Sequence, residues 1–580
     1  MNRSPNINAL WASMLVEECV RCGVDTFFLA PGARCAPLTF AVAQHQEVRP
    51  VKHFDERGLA FAALGYARAT GRPGVLICTS GTAVMNFAPA VAEAAAEELP
   101  LLLLTADRPP ELRECGANQS LRQSNLLPEH LSWHFELPCP DPTVSPAFVL
   151  TTLDEALRRS SRGPVQLNCP FREPLGLQKD RCDMDAILFP VYEWLRNGLP
   201  YTRTYPPVER VEELDAVGLE ELLPARARVL VLVGGGLLES EALAVEQLAQ
   251  QRGWPVVSDV QSGLHFGPRS GEVVRHVDAL CSAEGFVSGL EPDRILQFGS
   301  RFISKSLLQA LEASPLISWV SVSRRQGRFD PLHRVTHRYQ SEAGSFCSLF
   351  EKGEADPELE VWRKRWLDAD ASAEALLAEE LDDLHRLTEI GAVRKLTKLL
   401  PPYHGLFIGA SLPVRDVNRY AYPNPSRVHV GSNRGASGID GILATASGFA
   451  RGLQQCCTVL LGDLSTLHDL NSLALIGSRK FPVIVVVINN RGGGIFQELP
   501  FLDAAEQVED YFITPHEMSF EHAAAQFGLL YACPEDLPDF EETYREALME
   551  RRSCLIEVQC SREESRMLRM QLAEALQLGT

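Results

Sequence analysis

The chain has 580 residues, too many for one ordinary core, so two to four domains are expected. Apolar residues make up 45% and charged residues 22%, which is ordinary for a soluble globular protein. With 75 acidic against 55 basic residues the formal charge is −20, a field that opposes non-specific binding to nucleic acid or an anionic membrane. No apolar segment follows a basic start at Met1–Leu10, and the longest apolar run, Pro482–Ile488, is far short of the ~20 residues that span a bilayer. Fifteen scattered cysteines form no paired metal motif, and an odd number of thiols fits a reducing compartment. Cys19 and Cys22 have CxxC spacing, but they fall in an amphipathic pattern with Leu15 and Val16 that predicts a helix interior. A soluble cytoplasmic protein without nucleic-acid partners or membrane insertion is expected.

In chain order, Thr26–Ala30, Gly74–Cys78 and Leu101–Thr105 read as buried strands, and Leu59–Ala69 and Ala83–Ala96 as helices. Continuous apolar strands separated by helices predict a parallel sheet covered on both faces. A Pro- and Tyr-rich crossing, Pro200–Pro207, reads as a linker. Beyond it Val229–Val233, Trp254–Val260 and Arg294–Phe298 read as strands of a second block. The glycines 234–236 invite a dinucleotide reading, but Glu239 breaks the full fingerprint, so a tight strand-to-helix turn is expected. A charged helical stretch, Glu358–Leu387, leads to a third block. There Leu406–Gly409, Thr458–Leu461 and Val483–Ile488 read as strands and Ala444–Leu453 as a helix. The fold class is α/β throughout, in three domains with parallel sheets flanked by helices, at 1–185, 208–350 and 375–580, with the first and third alike in plan.

The strongest chemical signal lies in the third block. Gly462-Asp463-Leu464-Ser465 follows one apolar strand, and Asn489-Asn490-Arg491-Gly492 follows another. Carboxyl ends of parallel strands are where open α/β sheets bind ligands. A carboxylate, an amide oxygen and a backbone carbonyl are hard donors suited to Mg²⁺ carrying a diphosphate, and Gly462 is expected to permit a close turn.

The GD turn with a later NN resembles the signature of thiamine-diphosphate-dependent enzymes. His53-Phe54-Asp55-Glu56-Arg57-Gly58 before a helix resembles that family's glutamate element, and Thr79-Ser80-Gly81 its loop beside the pyrimidine. Longer stretches are similar to the SEPHCHC synthases of the menaquinone pathway in particular: LLTADRPPEL at 103–112, CGANQ at 115–119, SLPVRD at 411–416, SNRGASGIDG at 432–441 and NNRGGGIF at 489–496. The middle block carries fewer such landmarks, FGSRFISKSLL at 298–308 and GRFDPLHR at 327–334.

The resemblance implies pyrimidine-binding, central and diphosphate-binding domains in a homodimer or homotetramer, with thiamine diphosphate and Mg²⁺ (or Mn²⁺) as cofactors. It implies decarboxylation of 2-oxoglutarate and 1,4-addition of the succinyl-semialdehyde carbanion to isochorismate, giving SEPHCHC and CO2 for menaquinone or phylloquinone. Glu56 would be catalytic, acting on the aminopyrimidine. Asp463, Asn490 and Gly492 would hold the metal. Thr79, Ser80, Gly81, Ser411, Ile439, Gly462, Leu464, Ser465, Ile495 and Phe496 would line the cofactor. Arg34, Arg108, Gln119, Lys305, Arg415 and Arg434 would bind substrate carboxylates, a task that suits arginine's planar fork. Two positions depart from the family's usual pattern: Ala33 stands where serine is usual, and Ser306 follows Lys305 in place of arginine. Another thiamine-diphosphate decarboxylase or carboligase, and a non-catalytic relative, are the alternative readings.

Overall fold

The computed structural model describes residues 4–205, 216–268, 271–281, 286, 290–350, 355–477, 480–499 and 507–579. It contains three six-stranded, all-parallel sheets, each flanked by helices. The end of the expected linker, Pro206 and Pro207, and the expected start of the middle domain at 208 lie outside the described residues. Residues cluster into two compact units, one of 1–207, 433–455 and 468–482, the other of 208–432, 456–467 and 483–580.

The first unit holds strands β1 (Thr26–Leu29), β2 (Arg49–Lys52), β3 (Gly74–Cys78), β4 (Leu101–Asp107), β5 (Trp133–Glu136) and β6 (Val165–Pro170), in the order β2-β1-β3-β4-β6-β5. β1, β3, β4 and β6 are buried along their whole length, which is why they read as continuous apolar or near-apolar runs. β2 is an edge strand with three of its four residues exposed, and the sequence RPVK gives no strand signal. The expected helix over 83–96 is two helices, Thr82–Met85 and Ala88–Ala96. Pro89 explains the break: it has no N–H to donate, and its ring would collide with the preceding turn, so it is confined to the second helix's first turn.

In the second unit β7 (Val229–Val233), β8 (Val256–Ser258), β9 (Val273–Val274), β10 (Arg294–Phe298), β11 (Ser318–Val322) and β12 (His337–Tyr339) run in the order β12-β11-β10-β7-β8-β9. That is the strand order of dinucleotide-binding sheets. Here the crevice at its switch point is closed by backbone. The Gly235 carbonyl accepts the Ser300 N–H at 2.9 Å, and a Cβ on Gly299 would lie 2.5 Å from Leu237 Cδ1. The glycines are a packed turn, as expected.

The same unit holds β13 (Gly405–Ile408), β14 (His429–Gly431), β15 (Cys457–Gly462), β16 (Val483–Asn489), β17 (Leu530–Ala532) and β18 (Cys554–Gln559), ordered β14-β13-β15-β16-β18-β17. Strand for strand this repeats the plan of the first sheet. The charged stretch before it forms the helix Glu360–Leu381. Cys19 lies buried in the helix Ile7–Arg21 and Cys22 caps it, and all fifteen cysteines are unbridged. Among the described residues no helix is long and apolar enough to cross a membrane.

Within the first unit, the helix Glu56–Thr70 packs on the helix Ile442–Leu453 so closely that glycine is required on both. A Cβ at Gly65 would lie 1.9 Å from the Thr445 carbonyl oxygen, and one at Gly448 1.8 Å from that of Ala62. Gly65→Val is expected to lower unfolding stability by about 1–3 kcal/mol or more, because backbone cannot yield as a side chain can. Gly344→Ala, where a Cβ meets nothing within 4 Å, should leave stability unchanged or raise it by up to about 1 kcal/mol. Thermal melting of both variants checks the pair; equal melting points would contradict the packing described.

Candidate active site

At the carboxyl end of the first sheet, strand order reverses between β1 and β3, which opens a crevice. The loop after β1 carries Arg34 and the loop after β3 carries Thr79–Gly81. They touch, since a Cβ on Gly32 would lie 2.3 Å from Thr79 Cβ. Gly81 sits at φ 90°, ψ −144°, a conformation that admits glycine and little else. Its N–H donates to Gln123 Oε1 at 3.2 Å. Gln123 is 1% exposed and in turn donates to the Ala106 carbonyl at 2.8 Å and to Asn168 Oδ1 at 3.0 Å. Asn168 donates to Asp107 Oδ2 at 2.8 Å. A buried polar chain therefore ties the β3 loop to the end of β4, where Arg108 stands.

Arg34 is 4% exposed, donates to the Phe171 carbonyl at 2.9 Å and lies 3.4 Å from the exposed Glu173. Burial pulls its pKa down, and the neighbouring Arg108 guanidinium adds to the effect. Nε of each arginine is buried without a hydrogen-bond partner among the described residues. A buried guanidinium with a half-buried one beside it is an arrangement that favours an anion. Gln119 is less free than its sequence suggests. Its Nε2 donates to the Ser80 carbonyl at 2.9 Å while Ser80 Oγ donates back to the Gln119 carbonyl at 3.0 Å.

Glu56 opens the helix Glu56–Thr70, whose N-cap Asp55 accepts the N–H of Arg57 at 3.0 Å. Its carboxylate is half-buried, has no ion-pair or hydrogen-bond partner among the described residues, and lies near enough to Cys35 and Cys78 to raise both thiols, after burial. That places it beside the ends of β1 and β3. His53 is buried with Nε2 unpartnered among the described residues, and burial pulls its pKa down. Arg434 and Ile439 also belong to the first unit. Buried Glu93 accepts the N–H groups of Gly435 (2.8 Å), Ala436 (2.6 Å) and Ser437 (3.3 Å), so one carboxylate shapes the loop between them. Ile439 remains 37% exposed.

The second unit carries the other candidates. β15 and β16 are adjacent and parallel, with Gly462 opposite Ile488, so the two turns expected from the sequence are neighbours. The Gly492 N–H donates to Asp463 Oδ2 at 2.9 Å and the Leu464 N–H to Oδ1 at 2.6 Å. Burial pushes the Asp463 carboxyl above its ordinary range, and these amides pull it back. Asn490 Nδ2 donates to Glu389 Oε1 at 2.8 Å, whereas Asn490 Oδ1 is buried without a partner among the described residues. Glu389 itself is gripped by Arg569 at 2.6 Å. Gly492, at φ 143°, has the Ile513 carbonyl 2.6 Å from where a Cβ would be. The close turn expected at Gly462 is not what its lack of a side chain serves, because a Cβ there would meet nothing within 4 Å. It leaves open space above the turn.

Ser411, after β13, has φ 73° and ψ −134°, the region Gly81 occupies after β3. For a serine this strain costs about 1–3 kcal/mol, and it accompanies functional sites. Its carbonyl accepts an N–H of Arg415. Ser465 is buried, Leu464 and Ile495 follow the two turns, and Phe496 packs edge-on against Phe512 at 5.6 Å. Lys305 is exposed at the start of the helix Lys305–Glu312, with no ion-pair partner among the described residues, and Ser306 is half-buried behind it.

Three residues here give no sequence signal. Glu389 and Gln123 act through contacts made across long stretches of chain. His516, whose Nε2 lies 3.3 Å from Asp463 Oδ2 outside hydrogen-bonding geometry, sits in a segment without motif or periodicity.

The comparisons with known proteins agree with this layout. Residues 11–126 match the N-terminal TPP binding domain of thiamine pyrophosphate enzymes, 185–408 the middle domain, and 414–558 the C-terminal TPP binding domain. The chain is 41% identical over 572 residues to the 2-succinyl-5-enolpyruvyl-6-hydroxy-3-cyclohexene-1-carboxylate synthase of Rubrobacter xylanophilus, covering 98% of both chains. It belongs to that synthase family of thiamine pyrophosphate enzymes. The synthases of Salinibacter ruber and Chlorobaculum tepidum are each 40% identical, with 99% of this chain covered and 97% and 98% of theirs.

Replacing Gln123 by leucine would strand the Gly81 N–H in a buried place. The expected cost is about 1–3 kcal/mol of stability, with faster amide exchange at Gly81. Wild-type exchange at that amide would show that the polar chain does not hold the loop.

Proposed function

We propose that this thiamine-pyrophosphate-dependent transferase decarboxylates 2-oxoglutarate and joins the remaining four-carbon unit to isochorismate, releasing CO2 and forming SEPHCHC on the way to menaquinone or phylloquinone. The observation that carries the proposal is end-to-end identity of about 40% to synthases of that name. Fifteen unbridged cysteines support a cytoplasmic setting.

The residues fit the cofactor and a divalent metal. Asn490 Oδ1 is a buried amide oxygen without a partner among the described residues, Asp463 is a buried carboxylate tied to the next turn, and the space above Gly462 is open. With the backbone at Gly492 they form a hard-oxygen donor set suited to Mg²⁺, or Mn²⁺, carrying a diphosphate. When bound, thiamine diphosphate supplies the electron sink for decarboxylation and carbon–carbon bond formation. Glu56 would hold the aminopyrimidine and assist proton transfer at it. Thr79, Ser80 and Gly81 border that ring. Ile439 would line the cofactor from the first unit, and Ser411, Leu464, Ser465, Ile495 and Phe496 would line it from the second and exclude water.

Arg34 and Arg108 take a substrate carboxylate, with Gln119, Lys305, Arg415 and Arg434 as further donors. A chain of charge −20 needs such a concentration of cations to hold two acidic substrates. The domains at 1–185, 208–350 and 375–580 serve as pyrimidine-binding, central and diphosphate-binding parts, and the active assembly is a homodimer or homotetramer with the cofactor shared between subunits.

Incubation with both substrates, thiamine diphosphate and Mg²⁺ should yield the adduct. Free succinic semialdehyde as the only product would replace the synthase reading with a decarboxylase. Glu56→Gln should cut turnover roughly 10²–10⁴-fold and slow hydrogen–deuterium exchange at the cofactor's C2; wild-type exchange would remove Glu56 from its role.

Metal linkage is separately measurable by melting. Cofactor with Mg²⁺ at a hundredfold excess over its Kd should stabilise the protein by about 2.7 kcal/mol. Asp463→Ala should abolish that gain. Glu389→Ala, which frees the Asn490 amide to turn, should weaken metal affinity about 10–100-fold. An undiminished melting shift in both variants would place the metal elsewhere.

A further inference from the structure

The first unit contains a second cavity, of about 630 Å³, at the amino-terminal end of its sheet and so opposite the β1–β3 crevice. Its walls are the starts of β1 and β2, the carboxyl-terminal ends of the helices Glu56–Thr70 and Ile442–Leu453, and Lys480 with Phe481. Four cations line it, Arg49, Arg72, Arg451 and Lys480, against one carboxylate, Asp25. Asp25 is occupied by Arg49 at 3.3 Å. Arg72, Arg451 and Lys480 have no carboxylate partner among the described residues. Arg451 and Lys480 instead share one aromatic ring, their charges 5.9 Å and 5.4 Å from the centroid of Phe481.

A half-buried guanidinium gives up hydration that its surroundings must replace. Burial pulls the Arg451 pKa down, with Tyr66 alone opposing. In a chain of charge −20, with acidic residues in excess, three uncompensated cations around one concavity are a specific arrangement. A helix carboxyl terminus attracts one cation through its dipole, which would account for Arg451 at the end of its helix. It does not account for Lys480, which lies on no helix, or for the half-open concavity, whose volume is that of a small-molecule site.

We propose that this cavity binds a small polyanion, a molecule with two or more phosphate or carboxylate groups. The Arg451 fork and the Lys480 ammonium take the charged groups, Arg72 closes the rim, and the Phe481 face packs the ligand's carbon skeleton. Nothing in the proposal depends on the reaction assigned above, because the residues are separate from every candidate catalytic or substrate-binding position.

The test uses the full chain saturated with thiamine diphosphate and Mg²⁺, so that its diphosphate site is already filled. Melting is followed at constant ionic strength against inorganic phosphate and, separately, tricarballylate; the stronger probe tells a phosphate ligand from a carboxylate one. At least one probe should raise the melting temperature saturably. The apparent Kd should rise tenfold or more in an Arg451→Met, Lys480→Met double variant, and several-fold in Arg72→Met. Arg72 is exposed, so its variant keeps the test decisive if the double variant fails to fold. A linear, unsaturating response to both probes, or equal saturation in wild type and variants, would overturn the proposal. So would a double variant that melts lower without ligand yet responds as wild type, since that is the behaviour of a helix-dipole contact.

Discussion

Asn490 can offer its oxygen to a cation because its nitrogen is already committed. An asparagine amide can turn over at little cost unless a neighbour distinguishes its two ends. Here Glu389 accepts from Nδ2 at 2.8 Å, and Glu389 is itself fixed by Arg569, which also grips Asp416 at 2.6 Å. All four side chains are buried. Burial pushes the Glu389 carboxyl above its ordinary range, and the Arg569 charge opposes that shift. Replacing such a network by apolar residues could leave stability unchanged or improve it. What it secures is orientation: a held acceptor just after β16, the strand paired with the one that leads into Asp463.

The same logic of committed polar groups runs through the first sheet. Gln123, Asn168 and Asp107 satisfy one another along the ends of β3, β4 and β6, and their last contact stands next to Arg108. Burial then leaves Arg34 poorly hydrated, with the half-buried Arg108 beside it. In both places neighbouring polar groups pair with one another and leave Arg34 Nε, Arg108 Nε and Asn490 Oδ1 without a partner among the described residues, so these atoms are positioned before any ligand arrives. Such preorganisation lowers the free-energy cost of ordering the site during binding.

Legibility in the sequence followed burial on both faces. β3, β7 and β10 coincide with the apolar runs that announced them, and β16 extends its run by one residue, because interior parallel strands touch helices above and below. Edge strands such as β2, β12 and β17 were silent: half their residues meet solvent, and RPVK, HRY and LYA carry no run. The Ala83–Ala96 periodicity concealed a break that only Pro89 revealed. At the site, Asp463 and Asn490 could be read because each directly follows a strong strand. Glu389, Gln123 and His516 could not, since their partners lie on elements brought close only by folding.

Three sheets with one switch point apiece also explain where chemistry can reside. In the middle sheet Gly234, Gly235 and Gly299 let backbone approach backbone, and carbonyls and amides that would have faced a ligand face each other. In the first and third sheets the equivalent strand ends carry residues held in glycine-like geometry, Gly81 and Ser411, and a Cβ at Gly462 would enter empty space. Serine at 411 bears a strain that glycine would avoid, so its side chain, or the direction in which its backbone points, must be worth more than that strain. The fold offers three crevices of one kind. Backbone closes one of them, and the candidates Thr79–Gly81, Ser411, Asp463 and Asn490 directly follow strands of the other two sheets.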